Sequence, residues 1–191
     1  MKKHSTQDPV AFGLWVYIMS DCVLFACLFA GYAVLHGETA GGATGVMLFD
    51  RTFVLAETLV LLTSSFTCGL AVLFARRKNV IGVWASLLAT LALGIAFLTM
   101  ELGEFGKLIS AGHSWHASAF LSSYFALVGT HGVHIFVGLL WILALMLVVA
   151  VRGVHEQTAN RIFYFSLFWH FLDIVWICIF SLVYLLGSLP V

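Results

Sequence analysis

Five long apolar segments dominate this sequence of 191 residues and constrain its fold more than any other feature. Each segment has about 20 residues or more, the length that an α-helix needs to cross a lipid bilayer. The apolar runs are continuous and do not alternate with polar residues, which excludes a transmembrane β-barrel. We therefore predict an all-α integral membrane bundle of five transmembrane helices, forming one domain over residues 1–191. The predicted spans are 12–35, 53–75, 80–100, 119–151 and 162–189.

The composition excludes several other classes of protein. Apolar residues make up 62% of the chain and charged residues 9%, whereas a soluble domain has about 25% charged residues. The formal net charge is zero, and no long run of one sign is present, so we expect no nucleic-acid partner. The four cysteines lie in apolar segments without a C-x-x-C pair. This pattern argues against a disulfide framework and against a zinc site.

The basic residues predict the orientation in the membrane, because loops rich in lysine and arginine lie on the cytoplasmic side. We predict a cytoplasmic N-terminus, a C-terminus on the outer side, and a tight cytoplasmic turn at the "RRKN" stretch, 76–79. Seven of the nine basic residues fall on the side of the N-terminus, and two fall on the other side. The seven are Lys2, Lys3, Arg76, Arg77, Lys78, Arg152 and Arg161, and the two are Arg51 and Lys107.

Eight ionisable side chains fall within these spans or at their ends, where hydrocarbon offers no polar partner. Six of them form pairs with the patterns E-x-x-E, H-x-x-H and H-x-x-D, and this spacing puts both members of a pair on one helix face. We expect the eight to turn inward and to form hydrogen bonds with neighbouring helices. They are Asp21, Glu57, Glu101, Glu104, His131, His134, His170 and Asp173.

The positions of these residues along the spans test a metal-site interpretation. A di-iron site in a helix bundle uses Glu-x-x-His on two helices, and the sequence contains no such motif. We place Glu101 and Glu104 at the outer end of the third helix and Asp173 toward the cytoplasm, too far apart in depth to share one metal. Haem ligation by His131 or His134 stays open on geometry alone. From the spacing we prefer the interpretation that these residues form satisfied polar contacts between helices of a larger assembly. The spacing does not identify that assembly.

An independent transporter is a second functional interpretation, because intramembrane carboxylates and histidines often mark an ion path. Unbroken helices and the lack of an internal inverted repeat argue against it. For His131 and His134 we predict a structural role, in which the imidazoles link the fourth helix to carboxylates or carbonyls nearby. Glu101 and Glu104 are candidate partners, and the sequence does not fix the pairing. For Asp21 we predict a carboxyl group that is protonated or held by hydrogen bonds.

The order of the sequence motifs resembles that of one family. "GLWVYIMSDCVLFACLFAGYAVL", "ETLVLLTSSFTCGLA", "ELGEF", "GHSWHASAF", "GTHGVHIFVG" and "FWHFLDIVWICIFSLVYLLGS" follow one another from about residue 12 to residue 188. In this order they resemble subunit III of the haem-copper respiratory oxidases. Mitochondrial-type members have two further helices at the N-terminus. Five helices with "MSDC" in the first are most similar to the bacterial cytochrome bo-type ubiquinol oxidases. Asp21 stands where the cytochrome c oxidase branch has an intramembrane glutamate.

The resemblance implies a non-redox accessory subunit without catalytic, cofactor-binding or metal-binding residues of its own. The haems and copper are expected in subunit I, which this chain would contact directly, with subunit II and a small subunit IV in the same complex. Such a complex oxidises ubiquinol, reduces oxygen to water in aerobic respiration and pumps protons. Subunit III binds phospholipid between its helices and helps to sustain proton uptake. The resemblance also implies a multi-pass location in a bacterial inner membrane, with the C-terminus in the periplasm.

Three alternatives to this function remain. The first is subunit III of a cytochrome c oxidase, the second is an independent channel or transporter, and the third is a membrane metalloenzyme that uses the histidines.

Overall fold

The computed structural model describes residues 9–37 and 51–186, and in these ranges the secondary structure is helical, with no strand. Five helices are long and apolar enough to cross a membrane. The predicted all-α fold with five membrane-spanning helices is therefore confirmed. The helices are α1 (Pro9–Leu35), α2 (Arg51–Arg76), α3 (Val80–Ser110), α4 (Ala119–Arg152) and α5 (Glu156–Ile179), and α5 continues into a π-helical segment, Phe180–Leu186.

Helix α3 is longer than the sequence predicted, since it continues to Ser110 and not only to residue 100. Glu101 and Glu104 therefore lie inside the helix, which corrects the expectation that they end it. The apolar run is interrupted at these carboxylates, but Glu101, Glu104 and Leu108 are all buried. Their spacing puts them on one helix face, so burial of that face continues the helix for two further turns. Helix α5 begins earlier than predicted, at Glu156, and residues 187–189 of its predicted span lie outside the described residues.

The connection between α2 and α3 is the tight turn that the "RRKN" stretch predicted. Lys78 has a φ of 56°, in the left-handed region. The N–H of Lys78 donates to the carbonyl of Ala75 (3.0 Å), and the N–H of Asn79 donates to the carbonyl of Phe74 (3.0 Å). These two bonds form a Schellman motif, which satisfies the last carbonyls of α2. The Asn79 side chain then accepts from the N–H of Gly82 (3.1 Å) and caps α3.

The helices pack around α5, which contacts each of α1, α2 and α4, while α3 packs between α2 and α4. Helix α1 lies at the edge and packs against α4 and α5. Its buried residues are Ile18, Asp21, Phe25 and Tyr32, and most of the remaining side chains are exposed. The interior of the bundle is filled by large aromatic side chains of the other helices, among them Trp169, Trp176, Tyr124 and Phe97.

Glycines on α3 and α4 receive the largest of these side chains. A Cβ at Gly138 would lie 2.7 Å from the Trp169 ring, and a Cβ at Gly94 would lie 2.8 Å from Leu139 and 3.1 Å from Trp169. All three distances are below normal van der Waals contact, so only glycine leaves room for the indole and for Leu139. Close approach of helices at small residues is the usual source of packing energy inside a membrane. Trp169 therefore joins α3, α4 and α5 in the centre of the bundle.

Candidate functional site

The first polar contact joins α1 to α4 through Asp21 and His134. The His134 Nε2 atom lies 3.5 Å from Asp21 Oδ2, and Asp21 is buried. His134 Nδ1 lies 2.7 Å from the carbonyl oxygen of Thr130. Because a carbonyl can only accept, Nδ1 must carry the hydrogen. Nε2 is thus the ring atom that faces Asp21, at a distance that brings the two groups into electrostatic contact without a hydrogen bond. The Phe25 ring covers the imidazole, with centroids 5.3 Å apart.

The second imidazole, His131, points into the aromatic interior. It is fully buried, and its Nε2 lies 3.3 Å from the carbonyl oxygen of Leu172 on α5, to which it donates. The ring lies against Trp176, with centroids 5.2 Å apart, and against the edge of Phe97, with centroids 5.8 Å apart. His131 and His134 thus share a helix but contact different neighbours, α5 and α1.

The third group consists of three buried carboxyls, Glu57 on α2 with Glu101 and Glu104 on α3. They lie close enough to interact electrostatically. Within the described residues, none of the carboxylate oxygens of Glu57 and Glu101 has a hydrogen-bond partner. The charge of Lys107 on α3 also acts on Glu57, so one basic side chain lies near these three carboxyls.

The expected partnership of the histidines with Glu101 and Glu104 was wrong. The carboxyl of Glu101 lies over Gly132, where an added Cβ would be 3.0 Å from Oε1. Glu104 instead accepts from the hydroxyl of Tyr184 (3.3 Å). The reason is geometric, because the ring of His131 turns toward α5 and the ring of His134 toward α1, away from the carboxyls of α3.

The π-helical segment after α5 places Tyr184 in this cluster. Tyr184 is buried, and its hydroxyl lies 2.9 Å from the hydroxyl of Tyr124 on α4. The wider π turn rotates the following side chains relative to an α-helix. Here Tyr184 contacts Glu104 on α3 and Tyr124 on α4. Sequence analysis did not predict the π turn, because apolar periodicity does not distinguish a π turn from an α turn.

The fourth group joins α2 to α5, and sequence analysis recognised only its α5 members. His170 Nδ1 lies 2.5 Å from the Ser65 hydroxyl, and Asp173 is buried beside it on α5. Two indole N–H groups also donate to α2, Trp169 to the Ser64 hydroxyl (3.1 Å) and Trp176 to the Thr58 hydroxyl (3.0 Å).

The sequence contained one signal for these contacts between α2 and α5. A buried tryptophan needs an acceptor for its N–H group, and the tryptophans of W-H-F-L-D-I-V-W are seven residues apart, two helical turns. The two acceptors on α2, Thr58 and Ser64, are six residues apart. The sequence therefore indicated that these tryptophans need acceptors, but the spacing did not identify the partner helix.

Ionisable side chains are therefore distributed among separate interhelical contacts. Within residues 9–37 and 51–186, no group of three or more histidine, cysteine, aspartate or glutamate side chains is arranged to hold a metal ion.

A groove of about 320 Å³ lies among α1, α4 and α5, at the end of the bundle where α1 and α5 begin. Its walls are mainly apolar and include Leu14, Trp141 and Val148. Arg161 and Tyr164 of α5 also line it. An apolar groove with an arginine and aromatic rings near a helix end has the character of a membrane interface.

Comparison with known proteins identifies the family. A family model described as "Cytochrome c oxidase subunit III" matches residues 2–188. This chain belongs to the cytochrome c oxidase subunit III family. Among its relatives is cytochrome bo(3) ubiquinol oxidase subunit 3 of Pseudomonas aeruginosa, 51% identical over 97% of this chain and 89% of the relative.

Two further members of the cytochrome c oxidase subunit III family carry different names. The quinol oxidase subunit 3 of Bacillus spizizenii is 45% identical, over 92% of this chain and 86% of the relative. The cytochrome c oxidase subunit 3 of Bacillus sp. (strain PS3) is 41% identical, over 92% of this chain and 84% of the relative. The resemblance found in the sequence motifs is thus confirmed over nearly the whole chain.

Proposed function

We propose that this chain is a non-redox accessory subunit, subunit III, of a proton-pumping ubiquinol oxidase that reduces oxygen to water. The observation that carries the proposal is 51% identity to a ubiquinol oxidase subunit 3 over 97% of the chain. The structure supports an accessory role, because His131, His134 and His170 are used in contacts between helices.

The proposal includes the other subunits of the complex. Subunit I, with the haems and copper, would be the direct partner, and subunit II and a small subunit IV would complete the assembly. The outer faces of the helices suit contacts with other membrane helices or lipid, because side chains such as Phe12, Phe66 and Leu147 are apolar and more than 60% exposed. The complex would lie in a bacterial inner membrane, with the N-terminus of this chain in the cytoplasm and its C-terminus in the periplasm.

A role in sustained proton uptake is supported by the pair of Asp21 and His134. The two side chains meet between α1 and α4, with Asp21 buried and His134 half-buried. Asp21 belongs to α1, which has the smallest buried share of the five helices. The surroundings of the pair therefore depend on the subunit or lipid that covers α1. We propose that the pair responds to contact with the rest of the complex and helps to keep proton uptake active during turnover.

Phospholipid binding is supported by the groove among α1, α4 and α5. The apolar walls fit an acyl chain, and Arg161 lies at the end of the groove that we propose faces the cytoplasm. The arginine would attract the lipid phosphate, since basic side chains near helix ends favour lipid headgroups. Bound lipid would fill a gap beside α1 that no side chain of the described residues occupies.

The electron donor can be tested directly. The complex that contains this chain should be purified in mild detergent and assayed for oxygen consumption with ubiquinol and, separately, with reduced cytochrome c. We expect co-purification with a large haem-containing subunit and oxidation of ubiquinol alone. Oxidation of cytochrome c in place of ubiquinol would assign the chain to a cytochrome c oxidase. Purification without any haem-containing partner would favour an independent channel or transporter.

A further inference from the structure

A polar cavity of about 290 Å³ lies at the end of the bundle that carries the α2–α3 turn. One wall is the end of α2 and the turn, with Arg76 and Lys78, and the other is the start of α5, with His155, Glu156 and Asn160. The eight ionisable residues of the spans do not line this cavity, and it is separate from the groove beside α1. None of the roles described above accounts for it.

Two cations line this cavity. The left-handed conformation of Lys78 ends α2, and the guanidinium of Arg76 lies over the Phe163 ring of α5, 5.8 Å from its centroid. This cation–π contact keeps Arg76 beside the start of α5. Within the described residues, neither Arg76 nor Lys78 forms a salt bridge. Both charges are therefore available to an anion in the cavity.

The start of α5 adds a third favourable contribution. His155 occupies the N-cap position, and its side chain makes no capping hydrogen bond. The N–H groups of the first turn thus have no acceptor from this side chain, and they point toward the N-terminal end of the helix, where the helix dipole favours negative charge. Glu156 is an acidic side chain in the lining and opposes part of this field.

The surroundings favour a lipid headgroup over a soluble anion. Ile81, at the start of α3, is 82% exposed, and Phe163, beneath Arg76, is 37% exposed. Apolar side chains at the end of a membrane-spanning helix meet acyl chains, whereas basic side chains at the same level meet phosphate groups. A molecule that places an anionic phosphate in the cavity and an acyl chain against Ile81 or Phe163 satisfies both requirements.

We propose that this cavity binds the phosphate headgroup of an anionic phospholipid, through Arg76, Lys78 and the first turn of α5. The site rests on the proposed function only for its membrane setting, and it requires no redox chemistry of the complex. It would attach lipid where the end of α2 and the α2–α3 turn meet the start of α5.

The test compares two adjacent arginines that differ in their relation to the cavity. The assembled complex is delipidated in mild detergent and titrated with dioleoyl phosphatidylglycerol, and bound lipid is counted by native mass spectrometry. A basic residue near the membrane surface contributes about 1 kcal/mol to binding an anionic lipid, so R76Q and K78Q should each weaken binding about fivefold. Arg77 is exposed but does not line the cavity. R77Q should therefore weaken binding less than R76Q and K78Q do, which makes it the matched control.

Two further measurements distinguish a specific lipid site from non-specific electrostatic attraction of anionic lipid. E156Q should strengthen binding, because it removes the opposing charge, and dioleoyl phosphatidylcholine should bind more weakly than the anionic lipid. Equal losses in R76Q and R77Q, or equal binding of both lipids, would overturn the proposal. Displacement of the lipid by millimolar inorganic phosphate would overturn its assignment to lipid.

The co-purifying subunits are identified in the same samples. If the chain purifies alone, the proposed function is wrong, and the same titration on the full chain still decides the lipid site.

Discussion

The imidazole of His134 lies between a carbonyl of its own helix and the carboxyl of Asp21, and this arrangement limits what either group can do. With Nδ1 donating to Thr130 (2.7 Å), Nε2 is the ring atom that faces Asp21, 3.5 Å from Oδ2. An asparagine in place of Asp21 could still donate an N–H to Nε2, but it could not exchange a proton. This substitution therefore distinguishes a packing role of Asp21 from a proton-carrying role.

We predict that D21N preserves assembly and most oxygen reduction, and that any loss lies in proton pumping or in durability during turnover. The physical reason is that asparagine preserves the contact between α1 and α4 but removes the titratable carboxyl. The measurements are the subunit content of the purified complex, its initial rate of quinol oxidation, and the decay of pumping over repeated turnovers. S20A, next in sequence and exposed, serves as control. Immediate, complete loss of quinol oxidation in an assembled complex would contradict the prediction.

A second prediction concerns His131 and His134 together. H131Q/H134Q should weaken the packing of the bundle by about 0.6–2 kcal/mol for each interhelical hydrogen bond that is lost. The haem spectrum and copper content of the assembled complex should not change, because these rings contact a carbonyl, a carboxylate and aromatic side chains. Retention of the chain in increasing detergent measures packing, and absorption spectra and metal analysis measure the cofactors. A fully assembled double variant that lacks one haem or the copper would show that the structural role is wrong.

At the scale of the helices, contact between α3, α4 and α5 depends on the positions of glycines, which have no side chain. Gly138 and Gly94 leave room for Trp169, whose N–H reaches the Ser64 hydroxyl on α2 (3.1 Å). One indole therefore links four helices. The sequence predicted these helices because apolar length is a strong local signal. It could not predict which helix receives Trp169, because that contact depends on side chains 105 residues apart.

The glycine contact gives a third prediction. G138A should destabilise the subunit, because an added Cβ would lie 2.7 Å from the Trp169 ring, and the ring or the helix must move. Overpacking of this kind costs about 1–3 kcal/mol. G103A is the matched control, since a Cβ at Gly103 meets nothing within 4 Å. The thermal release of the chain from the complex measures both variants, and equal release temperatures for G138A and G103A would contradict the packing argument.

The carboxyl cluster shows the limit of reasoning from helix faces. The spacing of E-x-x-E correctly put Glu101 and Glu104 on one buried face. Their neighbours were not predictable, because Glu57 comes from α2 and Tyr184 from a π-helical segment. The direction in which a side chain points from a helix face depends on packing across several helices. Apolar periodicity carries no information about this direction.

At the scale of the whole molecule, the helix order puts the α2–α3 turn and the α4–α5 connection at one end of the bundle, because each helix crosses the membrane once. The described basic residues at that end include Arg76, Arg77 and Lys78 in the turn, with Arg152 and Arg161 beside the connection. The α3–α4 loop, 111–118, lies at the opposite end and contains no lysine or arginine. This asymmetry is the physical basis of the predicted orientation, since basic loops resist transfer across the membrane.

The fourth prediction tests this orientation. A reporter inserted at 76–79 should give a cytoplasmic signal, and the same reporter at 111–118 should give a periplasmic signal and serve as the matched control. The reason is that the two loops are separated by α3 alone, which crosses the membrane once. Phosphatase and fluorescent-protein fusions at both sites, read in cells with an intact inner membrane, provide the measurement. A periplasmic signal at 76–79 with a cytoplasmic signal at 111–118 would reverse the orientation, and it would move the lipid cavity beside Arg76 to the outer leaflet.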